Sequence, residues 1–434
     1  MNLMQQPTTI LDSQKLSSLQ LSTILICFLM NMLDGMDVMV ISYVAPHIST
    51  AWAISPQSLG IVFSAGLLGM SIGAMFLAPN ADKIGRKNMI LICGVLMGLS
   101  VFATILAKSV EMLVFFRVIS GLGIGGMLAS TATLTAEYAP KARKDFWVSF
   151  VISGYPVGAV LSGMVAAKVI PMYGWQTMFQ LAGLSTLCTL PLTYLFLSES
   201  LDFLLKTQPK NALKKANLIL EKINLPVLGV LPLIDYQSNI KISVKSLLVS
   251  ETKTATIRLW VAIFMAFATL YFLTTWIPKL ASATGLSNEL AIYAGTIFNL
   301  GAFLGIISQG YLSSKFGLQR TIFGFLIATA VLMLIFGLFK GSMMVLILFG
   351  LIGFGIQGGF VGLYSVSARL YPTEIRTTGV GWAVGAGRIG AIAGPILGGI
   401  LIGLGLSMTI NFIIFAVPPI IGGIVTLYIS TKEI

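Results

Sequence analysis

The sequence predicts an all-α membrane protein, with twelve transmembrane helices in two pseudo-symmetric six-helix bundles. Three observations carry this. Of 434 residues, 56% are hydrophobic and only 10% charged, with a mean hydropathy of +0.93, a composition that a soluble chain of this length does not show. Apolar runs long enough to cross a bilayer recur twelve times. The two halves also repeat one another at a constant offset of 232 residues: Gly69, Gly73, Lys83, Gly85, Gly121, Gly123, Gly126, Pro140 and Gly158 correspond to Gly301, Gly305, Lys315, Gly317, Gly353, Gly355, Gly358, Pro372 and Gly390.

The first six runs fall at about 21–44, 58–78, 89–107, 112–136, 146–168 and 176–197, and the second six at about 258–279, 290–312, 321–339, 343–368, 378–402 and 408–430. This divides the chain into a tail at 1–20, a bundle at 21–197, a central loop at 198–257, a second bundle at 258–430 and a tail at 431–434. Within the loop, Pro209 to Lys222 sets Lys210, Lys214, Lys215 and Lys222 beside Leu213, Leu218, Ile219 and Leu220, predicting an amphipathic helix on the membrane surface. A register kept without a gap from the second run to the fifth predicts duplicated bundles with a binding site between them, near the midplane.

The formal charge is +12, and its distribution explains it better than a nucleic-acid partner would. With the N-terminus inside, 21 of the 27 Lys and Arg fall in cytoplasmic segments, and only Lys108, Lys168, Lys279 and Lys340 fall outside. Both termini are therefore expected in the cytoplasm. The first 20 residues lack the charged start and cleavage site of a signal peptide and read as a cytoplasmic tail. Cys27, Cys93 and Cys188 sit in apolar runs without CxxC spacing, and His47 is a lone histidine at a helix end, so no disulfide, metal or cofactor site is expected. No HExxH and no Ser/His/Asp set is present, which argues against an enzyme.

Against this apolar background the buried charges stand out. Asp34-Gly35-Met36-Asp37 places two carboxylates in the first run, where each costs a few kcal/mol even on the gentlest scales, so a function is the default reading. Asp34 and Asp37 share a helix face. Counting inward at 1.5 Å per residue puts Asp37 about 10 Å and Asp34 about 15 Å from the outer end at Val44, and Arg117 about 9 Å from the end near Glu111. Asp37 and Arg117 thus match in depth, as a proton switch or as a static pair that only holds helices together. Arg388 lies about 15 Å into the eleventh run and can grip a carboxylate through two parallel hydrogen bonds, or act in packing or gating. Candidates to stack on a ring are Tyr155, Tyr271, Trp276, Phe298 and Tyr364, with Asn299 and Gln357 to hydrogen-bond its substituents.

The turn after the second run reads Gly73-Ala-Met-Phe-Leu-Ala-Pro79-Asn-Ala-Asp82-Lys83-Ile-Gly85-Arg86-Lys87. It resembles the signature loop of the major facilitator superfamily. The resemblance implies a cytoplasmic gate built from Gly73, Asp82, Gly85, Arg86 and Lys87, joined by Glu137 and Arg143, while the second copy, Ser314-Lys315-Phe316-Gly317, lacks the aspartate. Helices one, four, seven and ten would line a central cavity, bringing Asp37 and Arg117 face to face. That pairing, with Glu137-Tyr-Ala-Pro140, is similar to proton-coupled sugar porters. The Asp34 to Asp37 motif, Tyr371 to Gly379, and the run Gly385-Ala-Gly387-Arg388 to Pro395 resemble the aromatic acid:proton symporter family.

That resemblance implies a proton-coupled importer of a small organic anion such as benzoate, a hydroxybenzoate or a ring-cleavage acid. Its partners would be protons and the lipid bilayer, and it would work as a monomer in a bacterial inner membrane. The alternatives are an efflux carrier, a symporter of a sugar, sugar acid or nicotinate-like acid, and a sensor on a transporter scaffold. Efflux is disfavoured because the Gly-Pro pattern that drug antiporters carry in the fifth span stands here in the eleventh, at Gly394-Pro395.

Overall fold

The computed structural model describes residues 16–140, 143–223, 225–232, 247–248, 253–283, 285–339, 341–371 and 373–429. Lys15, Lys141, Lys241, Lys245, Lys340, Pro372 and Lys432, all used in the sequence argument, lie outside them, as do the side chains of Glu374 and Arg376.

Among the described residues twelve helices are long and apolar enough to cross a membrane: α1 Ser18–Ala51, α2 Pro56–Ile84, α3 Arg86–Leu106, α4 Val110–Tyr138, α5 Phe146–Tyr173, α6 Gln176–Phe196, α7 Lys253–Ala283, α8 Asn288–Phe316, α9 Leu318–Leu338, α10 Ser342–Leu370, α11 Thr373–Gly403, whose apolar span is Thr378–Gly403, and α12 Met408–Leu427. Most outrun the apolar windows that announce them, and serine caps fix five of the starts. Ser17, Ser55, Ser109, Ser287 and Ser407 each accept a bond from the backbone N–H three residues on. At the α2–α3 and α8–α9 turns, Gly85 (φ 97°) and Gly317 (φ 86°) take the positive φ that a side chain would oppose. Two short helices, Leu201–Thr207 and Ala212–Lys222, follow α6 and pack on each other. The second is amphipathic as expected, but its apolar residues Ala212, Ala216, Ile219 and Leu220 are buried against protein.

The duplication is visible in the packing. A Cβ on Gly69 would lie 2.2 Å from the Val118 carbonyl oxygen, and one on Gly301 would lie 1.9 Å from that of Gly350. Gly73 and Leu122 repeat as Gly305 and Phe354, and Gly158 and Met32 repeat as Gly390 and Phe264. Each such pair is one 232-residue step apart. Backbones this close leave room for no side chain, which is how small residues hold membrane helices together. In the first bundle α1 packs on α5 and α2 on α4; in the second α7 packs on α11 and α8 on α10.

Both bundles meet along α1 with α7, α2 with α11, and α5 with α8. The end of the molecule where α1 begins and α12 finishes is the terminal end, and the opposite one the far end. The far end is closed. Ser42 Oγ donates to the Thr274 and Thr275 carbonyls at 3.0 and 2.9 Å, Ser64 Oγ donates to the Ile392 carbonyl at 2.8 Å, and a Cβ on Gly60 would lie 2.7 Å from the Pro395 oxygen. Ser42 and Thr274 are themselves related by the duplication. Among the described residues, every hydrogen bond between the bundles lies at or beyond the level of Met70 and Arg388. Toward the terminal end Gly381 and Gly385 on α11 meet nothing within 4 Å, and Met75 and Phe76 on α2 are exposed. The cleft therefore opens at the terminal end.

Candidate functional site

Arg117 and Asp37 form a buried ion pair, Nη1 to Oδ1 at 2.8 Å, with a second contact from Nη1 to the Asp37 carbonyl at 3.3 Å. Gly66 makes room for the guanidinium, since a Cβ there would stand 3.1 Å from Nη2. The pairing follows the sequence argument, but the depths do not. α1 runs on to Ala51, which puts Asp37 about 21 Å from its end, against about 10 Å for Arg117 in α4. The two meet because α1 projects beyond α4.

Asp34 and Arg388 occupy the middles of their helices: Arg388 is fifteen residues from either end of α11, and Asp34 sixteen from the start of α1. Their charges act on one another across the two bundles, and Arg388 also acts on Tyr155, Tyr271 and Tyr364. Gly35 sets this geometry, because a Cβ there would lie 2.0 Å from the Tyr155 carbonyl oxygen. Asp34 and Tyr155 thus approach from the first bundle, and Tyr271, Tyr364 and Arg388 from the second. A wall of rings backs the site: Tyr271 stacks on Phe267 at 5.7 Å, Phe267 meets Phe360 edge-on at 4.7 Å, and Phe360 meets Tyr364 at 5.2 Å. Phe267 and Phe360 were not singled out from the sequence. Each stands four residues before a candidate tyrosine, a helical spacing that was the available signal.

Arg388 Nη1 reaches Met70 Sδ at 3.9 Å. Four charged-group atoms here, Asp34 Oδ1, Asp37 Oδ2, Arg117 Nε and Arg388 Nε, are buried without a hydrogen-bond partner among the described residues. Such atoms carry a large desolvation cost, and a polar ligand or proton that meets them removes it. Beside Arg117 a cavity of about 10 Å³, lined by Phe63, Met70 and Thr275 among others, has room for about one water.

The other candidates lie elsewhere. Trp276 is fully buried toward the far end, donating from Nε1 to the Pro395 carbonyl at 3.0 Å and packing edge-on against Phe63. Phe298 is buried where α8 meets Gly353 of α10. Asn299 Nδ2 donates to the Gly295 carbonyl at 2.9 Å and lies 3.9 Å from Met39 Sδ, on the seam between the bundles. Gln357 is buried on α10.

At the terminal end Arg86 pairs with Glu137 and donates to Ser200 Oγ, whose hydroxyl donates to Glu137 at 2.5 Å. Glu199 accepts from the Lys87 backbone N–H at 3.1 Å and crowds Gly85. Asp82 pairs only loosely with Arg86, at 3.4 Å, and is 76% exposed. Gly73 lies at a π-helical turn of α2, and Arg143 is exposed outside this cluster. These groups come from the first bundle and from the start of the central loop, at Glu199 and Ser200, and none comes from the second bundle. Glu199 and Ser200 were missed in the sequence, where an acidic residue directly after a span on an otherwise basic side was the mark to follow.

The profile of the Major Facilitator Superfamily matches residues 27–309 and 259–433. The chain is 33% identical over 416 residues to the 4-hydroxybenzoate transporter PcaK of Acinetobacter baylyi, covering 94% of this chain and 91% of that one. It is 30% identical over 436 residues to the benzoate transport protein of the same organism, covering 96% and 91%. Among solved structures it resembles the xylose transporter XylE from E. coli, with a TM-score of 0.75 and 19% identity, over 96% of this chain and 99% of that one.

Proposed function

Because the chain belongs to the major facilitator superfamily, we propose that it is a proton-coupled importer that carries a small aromatic carboxylate across a bacterial cytoplasmic membrane by alternating access. Transport rather than catalysis follows from the family. The observation that carries the substrate class is the cluster around Arg388: one cation beside a wall of rings, facing a carboxylate of the other bundle. A benzoate-like molecule offers the matching pair, an anion for the guanidinium and a ring for Tyr155, Tyr271 and Tyr364. The two relatives above are named for 4-hydroxybenzoate and benzoate, which supports the same class.

The Lys and Arg distribution supports a cytoplasmic terminal end, so the open cleft faces inward. With a proton on Asp34, Arg388 is free to take the substrate carboxylate. Once proton and substrate leave inside, ionised Asp34 again compensates Arg388. Asp37 and Arg117 form a second switch of the same kind. A half-loaded carrier would move an unpaired charge through a dry state, and that cost is the coupling. One proton with a monoanion moves no net charge, whereas two protons move one, worth about 2.3 kcal/mol per 100 mV. The whole site lies within one chain, and a monomer suffices.

The test is uptake of labelled benzoate and 4-hydroxybenzoate in proteoliposomes with an imposed pH gradient, with and without a membrane potential. Accumulation that needs the pH gradient is expected, and its response to voltage counts the protons. Accumulation that persists after the gradient is collapsed would overturn the coupling. Failure of both acids to move under any gradient would overturn the substrate class.

A further inference from the structure

At the closed far end a pocket of about 460 Å³ is lined by Pro46, His47, Thr50 and Trp175 of the first bundle and by Lys279 and Asn288 of the second, among others. It lies at the opposite end of the molecule from the open cleft. Lys279 is the one lining group with a formal charge, and its Nζ contacts Ser49 Oγ of α1, across the seam. The far end of the chain carries two carboxylates, Glu111 and Glu289, and neither lines the pocket. His47 Nδ1 is buried without a partner among the described residues. Trp175, packed edge-on against Trp52 at 5.6 Å, gives the pocket an aromatic flank. Cation, hydroxyl and amide groups together with an indole make a site for a small carboxylate, best for one with a ring attached.

We propose that this pocket is a second, external anion site that binds small aromatic carboxylates and holds the far end shut. The physical reason is its construction. Walls from both bundles exist together only while the far end is closed, so a ligand bound there stabilises that state over the one in which the bundles part. For a carrier that loads from outside, as proposed above, external acid in excess then slows the return of the empty site, and uptake declines at high external concentration.

Two experiments on the full-length protein test this. In the first, benzoate is titrated against tryptophan fluorescence in the Arg388→Gln background, which weakens the central site. A saturable change remains, Lys279→Gln weakens it about tenfold or more, and Trp175→Phe removes most of its amplitude. An unaltered titration in the Lys279→Gln protein would overturn the pocket, whether or not benzoate is transported. In the second, uptake is followed to high external benzoate. The native protein and Ser49→Ala, which loses the seam contact but keeps the charge, both show the decline, whereas Lys279→Gln reaches a plateau. Loss of the decline in Ser49→Ala as well would assign it to the seam contact and overturn the anion site. Unchanged uptake by Lys279→Gln at low concentration confirms that the variant is folded.

Discussion

The two bundles share a scaffold and differ in chemistry. Where the first has Asp37 bound to Arg117, the second has Thr269, whose hydroxyl donates to the Phe415 carbonyl at 3.2 Å, and Phe349, which packs on Phe336 and Phe412. Arg388 in the second bundle corresponds to Pro156 in the first, and Asp34 in the first to Ala266 in the second. Among the described residues the clustered ion pair at the α2–α3 turn has no like at α8–α9, where Ser314 replaces Asp82 and Leu318 replaces Arg86. Duplication preserved the glycine contacts that fix helix spacing and let the charges diverge. Charged groups of the two bundles act on one another across the seam at Asp34 and Arg388.

The sharpest way to break this comparison is at the ion pair. Asp37→Asn leaves Arg117 buried and unpaired and should destabilise the protein by about 3–5 kcal/mol while abolishing gradient-driven accumulation. The double variant Asp37→Asn with Arg117→Gln should recover most of the thermal stability in detergent without recovering accumulation. If accumulation returns with stability, the pair is a static brace and the first bundle handles no proton there. On the other side of the cleft, Arg388→Lys keeps the charge but loses the two-pronged grip. Substrate binding, read by isothermal titration with benzoate, should weaken by about 1.5–3 kcal/mol.

The shared scaffold is tested by a matched pair. Gly158→Ala and Gly390→Ala each drive a Cβ against a backbone oxygen, at 1.8 and 2.2 Å, and each should cost about 1–3 kcal/mol in thermal unfolding. A large difference between them would mean that the bundles are less alike in packing than in register. The smallest effect is expected from Ser314→Asp, which restores the missing aspartate to the second loop. With Leu318 in place of an arginine, and with exposed pairs worth little, stability should move by less than about 0.5 kcal/mol.

Much of this was legible in the sequence, for a physical reason. Hydropathy fixes which segments cross a bilayer and the offset of 232 fixes their symmetry, and both are read along the chain without any knowledge of contacts. The cost of a charge in hydrocarbon marked Asp34, Asp37 and Arg117 before any contact was known. Depth alone left Asp34 without a partner and left Arg388 between substrate contact and packing. What the tertiary structure decided was rotation about each helix axis. Successive residues on a helix point about 100° apart, and the close approaches at Gly35, Gly158 and Gly390 choose which side chains face the cleft. That choice gathers Arg388, Tyr155, Tyr271 and Tyr364 near Asp34, and sends Trp276 and Phe298 into packing. It also brings Glu199 and Ser200 to Arg86 and Glu137, a meeting of segments more than sixty residues apart that no local pattern encodes.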